Sequence, residues 1–356
     1  MDGRERNWVR LKGDRTLAEN LKTRSRVFRW VREFFHERGF LEVDPPALVP
    51  LPGMEPHLDP IGVNLHLMDG TPRRFYLHTS PEYCMKKLLS AGLERIYALG
   101  HVFRSGEISC THNPEFMLLE WYRAGEDYCR VMEDCEELIC HLAALTGNHG
   151  SIQHGESPLD LSRPWPRLTV REVMRQYASV DVEQIGSLED MVRVANGKGY
   201  TEVDSSWPWE DIFYRIFLQE VEPQLPKSRP FFLVDYPLEM GSLARRKPDA
   251  PRWVERFELY LGDLELANGF SELTDPLEQE ARLISERSQR ERAGKELYPV
   301  DRSFLEALQR GIPEAAGVAL GVDRLLMVLT GSSDIKDVIP FPAEDLLRDM
   351  ESLRFP

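Results

Sequence analysis

Apolar residues recur every three or four positions between residues 17 and 39, with Val27, Trp30, Val31, Phe34 and Phe35 on one stripe and Gly39 after them. That period predicts an amphipathic helix stopped by glycine. "FLEVDPPALVPLPGMEPHLDP" breaks the stripe and reads as a short strand and a proline-rich loop. "RRFYLHTSPEYCMKKLLSAGL" predicts a strand, a turn and a helix entered at Ser80-Pro81-Glu82, where proline and an acid suit a first turn. Residues 95–104 and 115–124 predict two long strands joined by a ten-residue loop. Amphipathic helices are expected over 127–146, near 169–177 and near 187–196, the last opening with the capping pattern Ser187-Leu188-Glu189-Asp190. Strand signals return in "PFFLVDYP" and "ERFELYLGDLELANGF". "GVALGVDRLLMVLTG" predicts a short strand and a buried helix, apolar all round and capped by Asp323. Strands and helices come in blocks without βαβ alternation, so the expected class is α+β, an antiparallel sheet flanked by helices. The stretch from about 150 to 225 is the most variable in texture.

Composition narrows the function. The 356 residues are 42% apolar and 29% charged, within the range of ordinary globular proteins. No apolar run approaches the roughly 20 residues that span a bilayer, and the charged N-terminus lacks the apolar core of a signal peptide. A cytoplasmic protein without a membrane partner is expected. Five cysteines with no C-x-x-C pair predict idle thiols rather than disulfides or a zinc ribbon. The net charge of −15 opposes nonspecific binding to nucleic acid, so stable tRNA binding is not expected.

Four stretches carry candidate chemistry. In the strand at 115–124, the pleat places Phe116, Leu118, Glu120 and Tyr122 on one face and Met117, Leu119, Trp121 and Arg123 on the other. A buried carboxylate needs a partner, so Glu120 beside Tyr122 calls for an ammonium group from a ligand or from an internal salt bridge. Arg104, where the first strand meets the loop, offers planar donors for phosphate or carboxylate, with Glu107, His112 and Asn113 following. Glu265 and Glu272 lie seven apart, and a bulge at Gly269 would bring both carboxylates to one face, where they could hold Mg²⁺. Solvent-facing acids are the other reading of that pair. Gly317, Ala319 and Gly321 leave one strand face nearly bare, and Arg324 sits in a helix first turn where the dipole disfavours it. An anion over the bare strand would explain it.

Taken together, these motifs resemble a family. Residues 96–124 look like motif 2 of the class II aminoacyl-tRNA synthetases, 317–331 like motif 3, and 24–46, ending Val43-Asp44-Pro45-Pro46, like motif 1, the dimer-forming element. "TSPEY", "THNPEF" and "LANGFSELTDP" are similar to the lysyl branch, and the likeness covers about residues 15–340. With motif 1 starting near residue 24, there is no room ahead of it for an anticodon-binding domain. "LHTSPEY", "HNPEFMLLEWYR" and "GVALGVDRL" therefore resemble more closely the elongation factor P lysine ligases, lysyl-tRNA synthetase paralogues that attach (R)-β-lysine to a protein lysine.

The resemblance implies one catalytic domain over 1–356, a homodimer, and ATP with Mg²⁺. It implies that Arg104 and Arg324 hold the phosphates, that His112 and Asn113 lie near the adenine and phosphate tail, and that Phe116 stacks on the adenine. Ser105, Gly106, Glu107, Leu266 and Gly321 would border the nucleotide. Glu265 and Glu272 would hold the metal, and Ser80, Glu82, Glu120, Tyr122, Glu272 and Ala319 the lysine or β-lysine. Synthetases of this class carry an acid two residues after the motif 2 arginine, whereas here Gly106 stands there and the acid is Glu107. The alternatives are a minimal enzyme charging tRNA, a standalone asparagine synthetase, against which the lysyl-like motifs speak, and a non-catalytic paralogue acting as a regulator.

Overall fold

The computed structural model describes residues 5–155 and 157–352. The first long helix, α1 (Arg15–Glu37), starts two residues earlier than its apolar stripe because the Asp14 carboxylate accepts the Leu17 N–H at 2.9 Å. It ends where Gly39 takes a φ of +73°, a conformation that suits glycine. Val27, Val31, Phe34 and Phe35 are buried along it, whereas Trp30 is only half-buried.

A nine-stranded sheet is the centre of the fold. Its main strands are β1 (Leu41–Glu42), β2 (Arg95–Phe103), β3 (Glu115–Ala124), β4 (Arg167–Thr169), β5 (Phe231–Pro237), β6 (Ala250–Leu261), β7 (Leu264–Ser271) and β8 (Ala315–Gly321). They lie in the order β1-β2-β3-β8-β7-β6-β5-β4, and the short strand Arg246–Lys247 pairs onto β6. The α+β class holds, but the sheet is mixed rather than purely antiparallel. β1 runs parallel to β2 and β4 parallel to β5. Each of those pairs is joined by a long connection, which parallel neighbours require.

The pleat of β3 divides its side chains as expected. Met117, Leu119 and Trp121 enter the core against α1, the helix α3 (Tyr128–Leu145) and the helix α5 (Val322–Thr330). Tyr122 joins a separate core on the opposite face with Met85 and Leu89 of α2 (Glu82–Ser90). Arg123 is accounted for on the first face by a buried two-point pair with Asp134 of α3, at 2.6 and 2.9 Å.

Asp323 behaves differently from its expected role. No side chain caps α5; the Asp323 carboxylate instead accepts the backbone N–H of Met117 at 2.7 Å and pairs with Arg24 of α1. It ties α5 to both neighbours.

The region 150–225 builds a second core on the far half of the sheet. Helices Val170–Ala178 and Leu188–Gly197 form where their caps predict, with a Thr169–Glu172 capping box and a Ser187 cap. A third helix, Trp209–Ile216, buries Ile212 and Phe213 against Phe231, Leu233 and Tyr260 of β5 and β6. The proline-rich stretch before α2 contributes strands Leu48–Val49, Ile61–His66 and Pro72–Leu77 to a small side sheet. All five cysteines are free thiols, and among the described residues no helix is long and apolar enough to cross a membrane.

Candidate active site

A cavity of about 1070 Å³ lies over the open face of β3, β7 and β8 and reaches to the 150–225 region. Most of the residues singled out in the sequence line it, from Ser80, Glu82 and Arg104 to Ala319, Gly321 and Arg324. The sheet register explains the convergence. Ala319 of β8 stands between Glu120 of β3 and Asn268 of β7, so a small residue forms the floor between two polar ones.

One end is rich in donors. Arg104 closes the β2–β3 loop through its backbone N–H to the Pro114 carbonyl, 2.8 Å, and its guanidinium lies 5.0 Å from the Phe116 ring centroid. Its Nε is buried with no hydrogen-bond partner, a donor left over for a ligand. Arg324 reaches from α5 across the same space. It donates to the Glu265 carbonyl at 2.8 Å and the Thr111 carbonyl at 3.3 Å, and its Nη2 meets His112 Nε2 at 2.6 Å. Burial and the adjacent Arg324 charge lower the His112 pKa, so the ring is neutral and accepts this bond. Glu107 also faces the cavity, Ser105 and Gly106 are exposed on the loop beside it, and Leu266 presents its backbone carbonyl 3.8 Å from where a side chain on Gly321 would begin. Asn113 lines the cavity, yet its amide is largely used: it donates to the Glu115 carbonyl at 2.6 Å and accepts Ala343 N–H at 2.9 Å. That makes it a strut for the loop.

The other end, at Ser80 and Glu82, backs onto Glu120, Tyr122 and Glu272, which are buried behind the lining and do not line the cavity themselves. Glu120 is buried, and its carboxyl accepts Ser80 Oγ and Tyr122 OH, each at 2.6 Å. Tyr122 therefore orients Glu120 rather than standing free beside it. Burial pushes the Glu120 pKa up to about 8, with Glu82 adding to the effect. Glu272 is likewise buried and pushed up to about 8, chiefly by burial and against the pull of Lys86. Gly317 is bare for a steric reason: a Cβ there would lie 2.2 Å from the Tyr122 ring and 2.9 Å from Glu272 Oε1.

The phase shift expected between Glu265 and Glu272 is present, but not at Gly269. The hairpin register slips between Leu259 and Tyr260, opposite Ala267 and Glu265, so the bulge sits at Leu266. Gly269 stays in regular register, and glycine is needed there because a Cβ would lie 2.6 Å from the Phe257 ring. The acid beside Glu265 is Glu258, whereas Glu272 is drawn away by Lys86. Burial first, then Glu258, raises Glu265 to about 7. Among the described residues the Glu265 carboxylate accepts no hydrogen bond, and Glu258 is held by Arg256 at 2.7 Å and Tyr260 at 3.1 Å. Glu265 thus offers hard, free oxygens suited to Mg²⁺ beside phosphate, with Glu258 as fixed charge behind it.

Three groups of participants went unread in the sequence. Lys86 is four residues after Glu82 on one face of α2, a spacing that announces an ion pair. Arg256 and Glu258 alternate with the buried apolar residues Phe257 and Leu259 in β6, and charge set among buried residues is a sign of a site. Trp207, Trp209 and Tyr214 line the outer part of the cavity from the 150–225 region, and nothing in their local pattern points inward.

Comparison with known sequences agrees with this geometry. The profile of the class II tRNA synthetases for aspartate, lysine and asparagine matches residues 4–345. A lysine–tRNA ligase of Moorella thermoacetica is 38% identical over 326 residues, covering 90% of this chain and 64% of that protein. Its counterparts in Pelotomaculum thermopropionicum and Syntrophomonas wolfei are 37% and 38% identical, each over 92% of this chain and over 63% and 65% of their own lengths. This chain thus spans slightly less than two thirds of these relatives. With the 96–124 and 317–331 segments meeting in one cavity and a profile match over nearly all its length, the chain belongs to the class II tRNA synthetases of the aspartate, lysine and asparagine group.

Proposed function

We propose that this protein activates (R)-β-lysine or lysine with ATP and transfers the acyl group to a lysine side chain of elongation factor P. The observation that carries the reading is one cavity with Arg104, whose Nε has no partner, and Arg324 at one end and Ser80 and Glu82 at the other, where Ser80 and Lys86 link Glu82 to the buried acids Glu120 and Glu272. The donors suit a triphosphate and a carboxylate, and the acids suit ammonium groups.

The chemistry needs no nucleophile from the protein. Arg104 orients the substrate carboxylate, whose oxygen attacks the α-phosphorus; the bond from that phosphorus to the bridging oxygen breaks and pyrophosphate leaves. Arg324 offsets the charge that develops there. Bound at Glu265, Mg²⁺ would neutralise phosphate charge. Phe116 and the Leu266–Gly321 edge border the nucleotide, while Ser80 and Tyr122 fix the Glu120 carboxyl toward the amine. An incoming protein amine then attacks the acyl carbon, the bond to AMP breaks, and the amine proton is released as the amide forms. Most of the acceleration comes from positioning.

The net charge of −15 supports a protein acceptor over a polyanion. Homodimerisation through α1 and β1 belongs to the same proposal, since β1 is a sheet edge and Leu41 is 52% exposed. The relatives' activity as lysine–tRNA ligases favours a second reading, the charging of tRNA. The deciding experiment offers purified protein ATP, radiolabelled β-lysine or lysine, and either elongation factor P or bulk tRNA. Label on the factor supports the ligase; label on tRNA alone overturns it in favour of the second reading.

A further inference from the structure

Lys86 is the one charged group of the amine pocket to which neither the substrate nor the nucleotide has given a task. It projects from α2 and is 1% exposed. Its ammonium lies 2.6 Å from Glu82 Oε1 and 2.5 Å from Glu272 Oε2. The Phe270 and Phe304 ring centroids are 5.1 and 5.8 Å from it. Burial works against a charge on this amine, but Glu272 and Glu82 outweigh burial and raise its pKa above the ordinary lysine value. A lysine buried only for packing would instead lose its proton.

The pairs are incomplete in an informative way. The Lys86 ammonium meets one oxygen of each carboxylate, Glu82 Oε1 and Glu272 Oε2, while Glu272 Oε1 is buried with no hydrogen-bond partner. Glu272 is therefore held through one oxygen while the other stays available. Around Lys86, α2 contributes Glu82, β3 contributes Glu120 and Tyr122, and the end of β7 contributes Glu272. Glu55 stands beyond Glu82, and the helix Arg302–Arg310 presents the Phe304 ring. Three carboxyl groups therefore share one built-in ammonium.

We propose that Lys86 is the positioning residue of the amine pocket, an internal ammonium that fixes Glu82 of α2 and Glu272, just past β7, toward one another and leaves the pocket, once Glu82, Glu120 and Glu272 are ionised, short of two positive charges. That deficit matches a substrate bearing two ammonium groups and disfavours a monoamino acid, whose single charge leaves one carboxylate uncompensated. The inference rests on the reading of this pocket as an amine site.

The test uses Lys86→Met, which keeps length and removes charge, and Lys86→Ala, which leaves room for an added amine. The first readout needs no substrate: thermal stability of the empty protein across pH 5 to 8. Without the Lys86 charge the Glu272 pKa rises further, so stability falls more steeply with pH in Lys86→Met than in wild type. An unchanged slope overturns the proposal. The second readout is amino-acid-dependent ATP–pyrophosphate exchange, which is independent of any acceptor. Lys86→Met is expected to raise KM for lysine or β-lysine about tenfold or more, with a smaller change in kcat, and to move the acid limb of the pH profile up by about one unit. Exchange by Lys86→Ala should recover with propylammonium and not with propanol; equal recovery with both overturns the proposal, because Lys86 then only fills space. If either variant fails to fold, the other carries the pH slope, and Lys86→Arg recovering the wild-type slope separates charge from volume. A changed slope with no diamino-acid-dependent exchange by the wild type would instead refute the amine-site reading and leave the role of Lys86 standing.

Discussion

Glu120 is held in a state that an arriving amine reverses. In the empty pocket burial favours its protonated form, so its pKa of about 8 lies above the ordinary carboxyl value near 4.5. The sign follows: the contribution to stability is full below pH ~4.5 and is lost as pH rises toward 8. Wild-type melting temperature should therefore fall from pH 5 to 8, and saturating lysine or β-lysine should flatten that fall by supplying the missing cation. Glu120→Gln removes the titration and should show the flatter curve without ligand. Its KM for the amino acid should rise about 10- to 100-fold, the worth of roughly 1.5–3 kcal/mol for a hydrogen bond to a charged group. A KM unchanged in this variant would mean that the amine binds elsewhere. Ala319 makes the complementary argument by shape. Its methyl stands on the floor between Glu120 and Asn268, and one methyl in a pocket is worth about 1–3 kcal/mol of discrimination. Ala319→Gly should shift preference toward α-lysine in pyrophosphate exchange; equal kinetics for both substrates before and after would refute this.

Single elements set those side chains in place, and here the limits of reading the sequence are instructive. The apolar periods of α1 and α3, the cap at Ser187, and the pleat of β3 are local properties, and each was legible. The positions of Arg104 and Arg324 in one cavity, with Glu120 buried behind Ser80, followed from motifs whose spacing encodes that fold. What escaped depended on register or on partners distant in sequence. The bulge at Leu266 could not be told from one at Gly269, because a glycine also appears where two backbones and a ring approach closely. Asp323 had the position of a cap, but its partners, Arg24 and Met117, lie hundreds of residues away in the chain. Asp323→Asn should thus act as the loss of a buried tie between elements, costing about 3 kcal/mol. A melting temperature lowered by about 5–10 °C is expected, whereas a change confined to helix capping would move it far less. Nucleotide affinity should weaken with it, since Met117 follows Phe116.

At the scale of the whole molecule, three cores pack on one sheet, and the cavity lies over the open face of β3, β7 and β8. The α1–α3–α5 core backs the motif strands, and the 150–225 helices build on β5 and β6 and bring Trp207, Trp209 and Tyr214 to the outer cavity. Glu55, Glu210 and Glu286 also line that cavity. Burial, then Glu55, pushes Glu286 up to about 8, and burial raises Glu210 as well. Acids of this kind receive an ammonium more readily than a phosphate backbone, and the net charge of −15 acts in the same direction at long range. A protein that grips tRNA through many phosphate contacts loses about 10³–10⁵ in affinity between 50 and 200 mM salt. We expect no such dependence here: bulk tRNA should fail to shift in an electrophoretic assay even at 50 mM salt. Transfer to a protein lysine should also persist at the higher salt. Tight tRNA binding at low salt that collapses as salt rises would show a basic docking surface despite the overall charge, and would move the acceptor from an amine to a ribose hydroxyl.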